Sequence, residues 1–420
     1  VDLIADLEFR GLIYQITDLE GLRERLSRGR IVLYVGFDPT ADSLHVGHLL
    51  PVLGLRRFQL AGHSPIALVG GGTGLIGDPS GKTTERTLNP QEVVEEWSQR
   101  IRSQLERFLD FEVASNPARI VNNFEWLGEL KMIPFLRDIG KHFSLGYMLS
   151  KESVKSRLES GISFTEFCYM LLQAYDFLQL AQRYDCELQA GGSDQWGNIT
   201  AGMDLIQKVL GKKVYGLTFP LVTRSDGTKF GKTEQGAVWL DPQRTTPYQF
   251  YQFWLNVDDR DVVTYLKYFT FLSPKEILEL EEEVRKNPEH REAQRVLARE
   301  MTALVHGKEA LERAEKISRA LFYGQVQELE LSELEEAFRD VPSCEIKGRE
   351  EVGIVDLLVL CGAASSKREA REHLRNGAIQ VNGVKVQEVD KAFGRQDCLG
   401  GRYLVIRRGK KNYYLVRWLT

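Results

Sequence analysis

The stretch IVLYVGFDPTADSLHVGHLLPVLGLRRFQLAGHSPIALVG, residues 31–70, decides the fold. Its two ends, IVLYVGF (31–37) and PIALVG (65–70), are short, apolar and rich in β-branched residues, as expected of strands buried on both faces of a parallel sheet. Between them, about 46–61 reads as a helix, with Asp42 and Ser43 as capping candidates and Gly62 as its stop. Strand, helix and returning strand make the unit of a doubly wound α/β domain. Pro51 falls inside that helix, where it removes a backbone donor and can kink the chain.

Outward from this unit, helices are predicted over 90–109 and 165–184, a strand near 186–190 and a helix from about 196 to 209. From Pro247 the character changes. Residues 248–323 carry helical periodicity, with dense i,i+4 charge pairs in LELEEEVRKNPEHREAQRVLARE. Residues 324–351 are polar and acidic with little periodicity and read as a linker. The stretch 352–420 reads as two short helices followed by strands such as AIQVNG, RYLVIRRG and KNYYLVRWL. The expected plan is an α/β domain over 1–247, a helical domain over 248–323, a linker over 324–351 and a small α+β domain over 352–420. Internal repeats and low-complexity tracts are absent.

A length of 420 residues, with 43% hydrophobic and 27% charged content, suits a soluble chain of two or three domains. No run of about 18 apolar residues exists, so no membrane span is expected. The acidic start Val1-Asp2-Leu3-Ile4-Ala5-Asp6 does not read as a signal peptide. The five cysteines (168, 186, 344, 361 and 398) form no CxxC pair, which favours reduced thiols in a cytoplasm over a zinc site or disulfide framework. The net charge of −4 divides unevenly: 352–420 holds 13 Lys or Arg against 6 Asp or Glu, and the remainder holds 42 against 53. A basic tail on an acidic body suits a polyanionic partner, and equally a solvated basic face.

Two glycine-rich readings fail on local grounds. Gly72-Thr73-Gly74-Leu75-Ile76-Gly77 fits the dinucleotide fingerprint, but Asp78-Pro79-Ser80-Gly81 follows as turn chemistry where a helix should open. Gly77 to Thr83 resembles a phosphate loop but has three residues between its glycines where four are needed. His45 and His48, at i and i+3, have no third ligand at obvious spacing, so no metal site is expected. No GxSxG elbow supports a nucleophilic serine.

Asp38 to His48 ends in His-Val-Gly-His and resembles the HIGH signature of class I aminoacyl-tRNA synthetases, with one valine changed. Some 180 residues later, Lys229-Phe230-Gly231-Lys232-Thr233 resembles their KMSKS loop; Phe230 and Gly231 replace Met and Ser, and both lysines remain. Residues 33–38, 77–82 and 191–196, with Tyr169, Gln173 and Asp176, are similar to the bacterial tyrosyl enzymes. Residues 365–383 are similar to a small RNA-binding module of ribosomal proteins. The likeness runs essentially from end to end. It implies a nucleotide-binding catalytic domain, a helical anticodon-binding domain and an RNA-binding tail. It also implies ATP with Mg2+, L-tyrosine and tRNA(Tyr) as partners, no tightly bound cofactor and a homodimer.

The chemistry implied is attack of an amino-acid carboxylate on the α-phosphorus of ATP. A carboxylate is already ionised at pH 7, so positioning and donors to developing charge are needed rather than a base. By resemblance, Thr40 and His45 meet the leaving phosphates, and Lys82, Arg86, Lys229 and Lys232 grip pyrophosphate. Gly36, Asp38, Gly47, His48, Gly192 and Asp194 would lie against the nucleotide. Tyr34 and Asp176 would recognise the tyrosine hydroxyl, Asp78, Tyr169 and Gln173 its ammonium, and Gln195 the region of its carboxylate. Taken singly, Tyr169 and Asp176 could be helix surface residues and Asp78 a turn former. Tyr169, Gln173 and Asp176 nevertheless share one helical face at i, i+4 and i+7. A tryptophanyl enzyme, whose indole N–H an aspartate could also accept, is the first alternative. The second is a non-catalytic RNA-binding relative, which would have no use for the histidines and lysines.

Overall fold

The computed structural model describes residues 2–419. Six strands form one sheet: β1 (Gln15–Ile16), β2 (Val32–Phe37), β3 (Ser64–Val69), β4 (Arg119–Asn122), β5 (Cys186–Gly192) and β6 (Tyr215–Phe219). Their order is β1-β6-β5-β2-β3-β4. Strands β2 to β6 run parallel, and β1 closes one edge antiparallel to β6. The strand order reverses between β2 and β5, so the loops leaving their carboxyl ends open a crevice, the usual ligand position in such sheets.

The quoted stretch folds as read, with β2 and β3 paired from Val32↔Ser64 to Phe37↔Val69. The helix between them is split into a 3-10 turn, Val46–His48, and an α-helix, Leu49–Leu60. Pro51 therefore stands in the first turn of the α-helix, where the backbone N–H groups have no α-helical partner to lose. The helix Tyr169–Tyr184 buries Met170, Ala174, Phe177 and Leu178 in a core shared with Ile66, Leu68 and Val121. That burial leaves Tyr169, Gln173 and Asp176 on the face toward the ends of the strands.

By internal contacts the chain divides into two units, Val1–Asp241 with Val257–Leu297, and Pro242–Asn256 with Ala298–Thr420. The expected helical block 248–323 forms five helices, Pro247–Leu255, Asp259–Phe269, Pro274–Lys286, Glu292–His306 and Lys308–Phe322, but they are shared between the units. The stretch 324–351, expected as a linker, instead carries a helix, Leu331–Ala337, and a strand, β7 (Ser343–Ile346). In the second unit, β7 joins β8 (Ile379–Val381), β9 (Val384–Lys385), β10 (Tyr403–Arg408) and β11 (Asn412–Trp418) in the order β9-β8-β10-β11-β7. Val326, Leu329, Leu334 and Phe338 are buried with Tyr403, Val405 and Leu415. A seven-residue helix offers too few turns for its apolar spacing to register as a period.

Candidate active site

Tyr34 lies mid-strand on β2 and Asp176 two turns into the helix Tyr169–Tyr184; they are 1% and 2% exposed. Each Asp176 oxygen accepts one bond, from the Trp126 indole N–H at 2.7 Å and from Asn123 Nδ2 at 2.9 Å. Even with these donors, burial holds the Asp176 carboxyl up at about 8. The Tyr34 hydroxyl accepts from Gln189 Nε2 at 2.5 Å, which leaves its own proton free to donate. Burial raises that phenol well above its usual range, so it stays protonated. A donor hydroxyl beside a buried carboxyl is what a single ligand hydroxyl requires.

Asn123 extends this cluster. It donates to Thr73 Oγ1 at 2.9 Å, and Thr73 in turn donates to Asp38 at 2.6 Å. The other Asp38 oxygen accepts from the Tyr169 hydroxyl at 2.6 Å. Burial, opposed by these two bonds, raises Asp38 to about 6, and the nearby Asp78 carboxylate adds to the rise. A hydrogen-bond chain thus runs from Asp176 to Tyr169 across loops after β2, β3 and β4. A second cluster lies beside it. Gln195 donates to Asp78 at 2.9 Å and accepts from Gln173 at 3.2 Å, and Asn198 reaches Ser80 at 3.1 Å.

The His45 turn shapes the next part. Backbone N–H groups donate to the Nδ1 atom of each ring, Gly47 to His45 at 3.0 Å and His45 to His48 at 3.1 Å. Each neutral ring therefore carries its proton on Nε2. Burial, then the Lys232, Lys229 and Lys82 charges, lowers His45 to about 4; burial, His45 and Lys82 lower His48 to about 3. Lys82, Lys229 and Lys232, from two separate loops, thus lie within electrostatic reach of one imidazole. Gly47 is required by that ring, because a Cβ there would lie 2.7 Å from His45 Cε1. Gly231 of the lysine loop has φ +79°, and a Cβ would sit 2.9 Å from Val46. Backbone bonds complete the junction: Val46 N–H to Val238 O at 3.0 Å, and Val238 N–H to Gly231 O at 2.9 Å.

The remaining residues fall around this centre. Gly36 is exposed on β2, Thr40 follows in the exposed loop with its N–H on Asp38 O at 3.0 Å, and Gly192 ends β5 just before Asp194. Lys82, Lys229 and Lys232 are exposed. Arg86 differs from the simple picture of a free donor: its Nε bonds back to Asp78 O at 2.7 Å and its N–H to Glu166 at 3.0 Å. The sequence reading passed over Asn123, Trp126, Thr73, Gln189 and Asn198. Apart from Thr73, inside the rejected glycine fingerprint, none belongs to a motif with its own spacing; Asn123 and Trp126 follow β4, and Gln189 pairs with Tyr34 across β5 and β2.

Comparison with known proteins identifies the family. The family tRNA synthetases class I (W and Y) matches residues 26–323, and the tyrosine--tRNA ligase SYY-like C-terminal domain matches 333–416. The chain is 61% identical to the tyrosine--tRNA ligase of Geobacillus stearothermophilus over 419 residues, covering 100% of each. It is 62% identical to that of Desulfitobacterium hafniense, covering 99% of this chain and 100% of the other. Among solved structures, a C-terminally truncated mitochondrial tyrosyl-tRNA synthetase of Aspergillus nidulans superposes with a TM-score of 0.70 at 33% identity, over 76% of this chain and 94% of that one. The chain belongs to the tyrosine--tRNA ligases, a branch of the class I tRNA synthetases.

Proposed function

We propose that this protein joins L-tyrosine to tRNA(Tyr) in two steps at the site around His45. In the first, the tyrosine carboxylate attacks the α-phosphorus of ATP, the bond to the β-phosphate oxygen breaks, and pyrophosphate leaves. In the second, a hydroxyl of the terminal tRNA ribose attacks the tyrosyl carbonyl carbon and AMP leaves. The observation that carries this reading is the hydrogen-bond chain from Asp176 through Asn123 and Thr73 to Asp38 and Tyr169.

Tyr34 donates to the substrate phenol and Asp176 accepts from it. Phenylalanine would leave both buried groups unpaired, the situation in which discrimination is greatest; the general rule has this enzyme family as its own example. Asp78, Tyr169 and Gln173 hold the ammonium group, and Gln195, already bonded to Asp78 and Gln173, lies toward the carboxylate. Neutral His45 donates from Nε2, and with Thr40, Lys82, Arg86, Lys229 and Lys232 it stabilises charge growing on the leaving diphosphate. Gly36, Asp38, Gly47, His48, Gly192 and Asp194 line the nucleotide. Among the described residues no group of three or more His, Cys, Asp or Glu is arranged to hold a metal. Magnesium is accordingly read as entering with the ATP phosphates.

The helices of 248–323 and the basic C-terminal domain are assigned to the anticodon and variable arms of the tRNA. A homodimer contact is assigned to exposed apolar side chains of the first unit: Met132, Ile133, Leu145, Leu158 and Phe164 are each at least half exposed. No helix of the described residues is long and apolar enough to cross a membrane. All five cysteines are free, which supports a reducing cytoplasm. The test is ATP–pyrophosphate exchange with each amino acid in turn. Tyrosine is expected to drive it far above all others, and faster exchange with tryptophan would overturn the assignment.

A further inference from the structure

The loop that carries Lys82 and Arg86 has little backbone support. Among the described residues, 83–89 make no backbone–backbone hydrogen bond. Besides the bond from Arg86 Nε to Asp78 O, the loop is tied by a cluster of charges around Arg157. Arg157 is 1% exposed, and its Nη2 meets Glu166 at 2.9 Å and Glu85 at 3.0 Å, while its Nε donates to Gly161 O at 3.0 Å. Glu166 is also 1% exposed; its second oxygen accepts the Arg86 N–H at 3.0 Å. Glu85, 46% exposed, also accepts the Ser163 N–H at 3.3 Å. Glu166 belongs to the short helix Phe164–Phe167, which leads directly into the helix bearing Tyr169, Gln173 and Asp176.

Burying such a pair costs desolvation that an apolar pair would avoid, so its presence calls for a role in specificity of structure. We propose that Glu166, held by Arg157, is a positioning residue for diphosphate capture. It clamps the backbone at Arg86 and so sets where Lys82 and Arg86 present their charges relative to the helix that holds the amino acid. This role rests on the reading of Lys82 and Arg86 as donors to the leaving group. Glu85 is the outer, solvent-facing half of the same clamp.

The test uses the full-length protein and two readouts, ATP–pyrophosphate exchange and equilibrium binding of tyrosine. Glu166→Gln keeps the shape and loses the charge facing Arg157. It is expected to slow exchange about tenfold or more, as small misplacements of reacting groups do. Tyrosine affinity should stay within about twofold, and in a Lys82→Ala/Arg86→Ala background the further loss should be under about twofold, because the effects share one route. Full additivity in that cycle, or tyrosine binding lost in step with the rate, would overturn the proposal. If Glu166→Gln does not fold, Glu85→Gln, at an exposed position, should slow exchange about threefold by loosening the same clamp; unchanged exchange would overturn it. Wild-type exchange in Lys82→Ala/Arg86→Ala would refute the donor reading itself. A slow Lys82→Ala/Arg86→Ala protein beside a fast Glu166→Gln protein would refute only the clamp.

Discussion

At the scale of single residues, the geometry around His45 and His48 fixes which atom carries each proton. His45 and His48 spend Nδ1 on backbone N–H groups and keep Nε2 as a donor. With folded values near 4 and 3 they remain neutral where an unfolded imidazole, near 6.5, takes up a proton. Between pH 6.5 and 4 the unfolded chain therefore binds more protons at these rings, and their contribution to stability falls as pH falls. The linkage is up to about 1.4 kcal/mol per pH unit for each ring. Denaturant midpoints at pH 7 and pH 5 should show wild type losing ground relative to His45→Gln; an unchanged gap would contradict the depressed value. Asp176 invites a second substitution. Trp126→Phe removes the 2.7 Å donor from a carboxyl already near 8, and a net hydrogen bond to a mostly neutral carboxyl contributes about 0.5–1.5 kcal/mol. The tyrosine-over-phenylalanine ratio of kcat/KM should fall by roughly twofold to tenfold, read by exchange with the two amino acids. His45, Lys229, Asp176 and Tyr34 were named as candidates in the sequence because resemblance supplied them. Asn123 and Trp126 were not, since nothing in the run Asn122-Asn123-Phe124-Glu125-Trp126 marks one side chain as a partner of Asp176.

At the scale of elements, the lysine loop depends on the helix Asp259–Phe269 for its seat. Phe230 packs edge-on against Tyr265 at 5.2 Å and stacks on Phe269 at 5.6 Å. The Tyr265 hydroxyl donates to Thr223 O at 2.7 Å, and Asp261 accepts from the Ser225 N–H at 3.1 Å. The far end of the helix is pinned as well, with Arg10 and Arg57 donating to Thr270 O at 3.0 and 2.7 Å. Phe230, where the family's usual loop has methionine, fills an aromatic seat between the two lysines. Phe230→Ala should free the loop, lowering the activation rate at least about tenfold while tyrosine KM stays within about twofold. A proportional rise in tyrosine KM would instead place the damage in the amino-acid site. Local pattern foretold β2, β3, β5 and the long helices, whose apolar runs and stops are self-contained. It did not foretell β4 or β6, because four- and five-residue strands such as Arg119–Asn122 are defined by the neighbours they pair with.

At the scale of the whole molecule, the sequence's charge asymmetry and the second unit's packing bear on whether the tail serves tRNA. Ile317 and Ala320 are buried with Leu334, Phe338, Val405 and Leu415, so the chain around 324 runs through a core rather than a spacer. Ending the protein there would bare apolar side chains worth about 1.5–3 kcal/mol each, and lost charging could then reflect lost structure. Charge reversal separates the two. Lys367, Arg368, Arg371, Lys410 and Lys411 are exposed on the basic domain, and of these Lys367 and Arg368 have ion-pair partners at 3.6 and 3.7 Å, beyond close contact. Exposed pairs of this kind contribute about 0–1 kcal/mol, so Arg368→Glu/Arg371→Glu with Lys410→Glu/Lys411→Glu should leave folding nearly intact. Exchange with tyrosine and ATP should be unchanged, because the residues proposed for that chemistry all belong to the first unit. Tyrosine transfer to tRNA should fall steeply, and its dependence on salt should flatten as phosphate contacts are lost. Transfer at the wild-type rate with an unaltered salt slope would mean that the positive surface of the tail is merely solvated, and that the helices of 248–323 hold the tRNA without it.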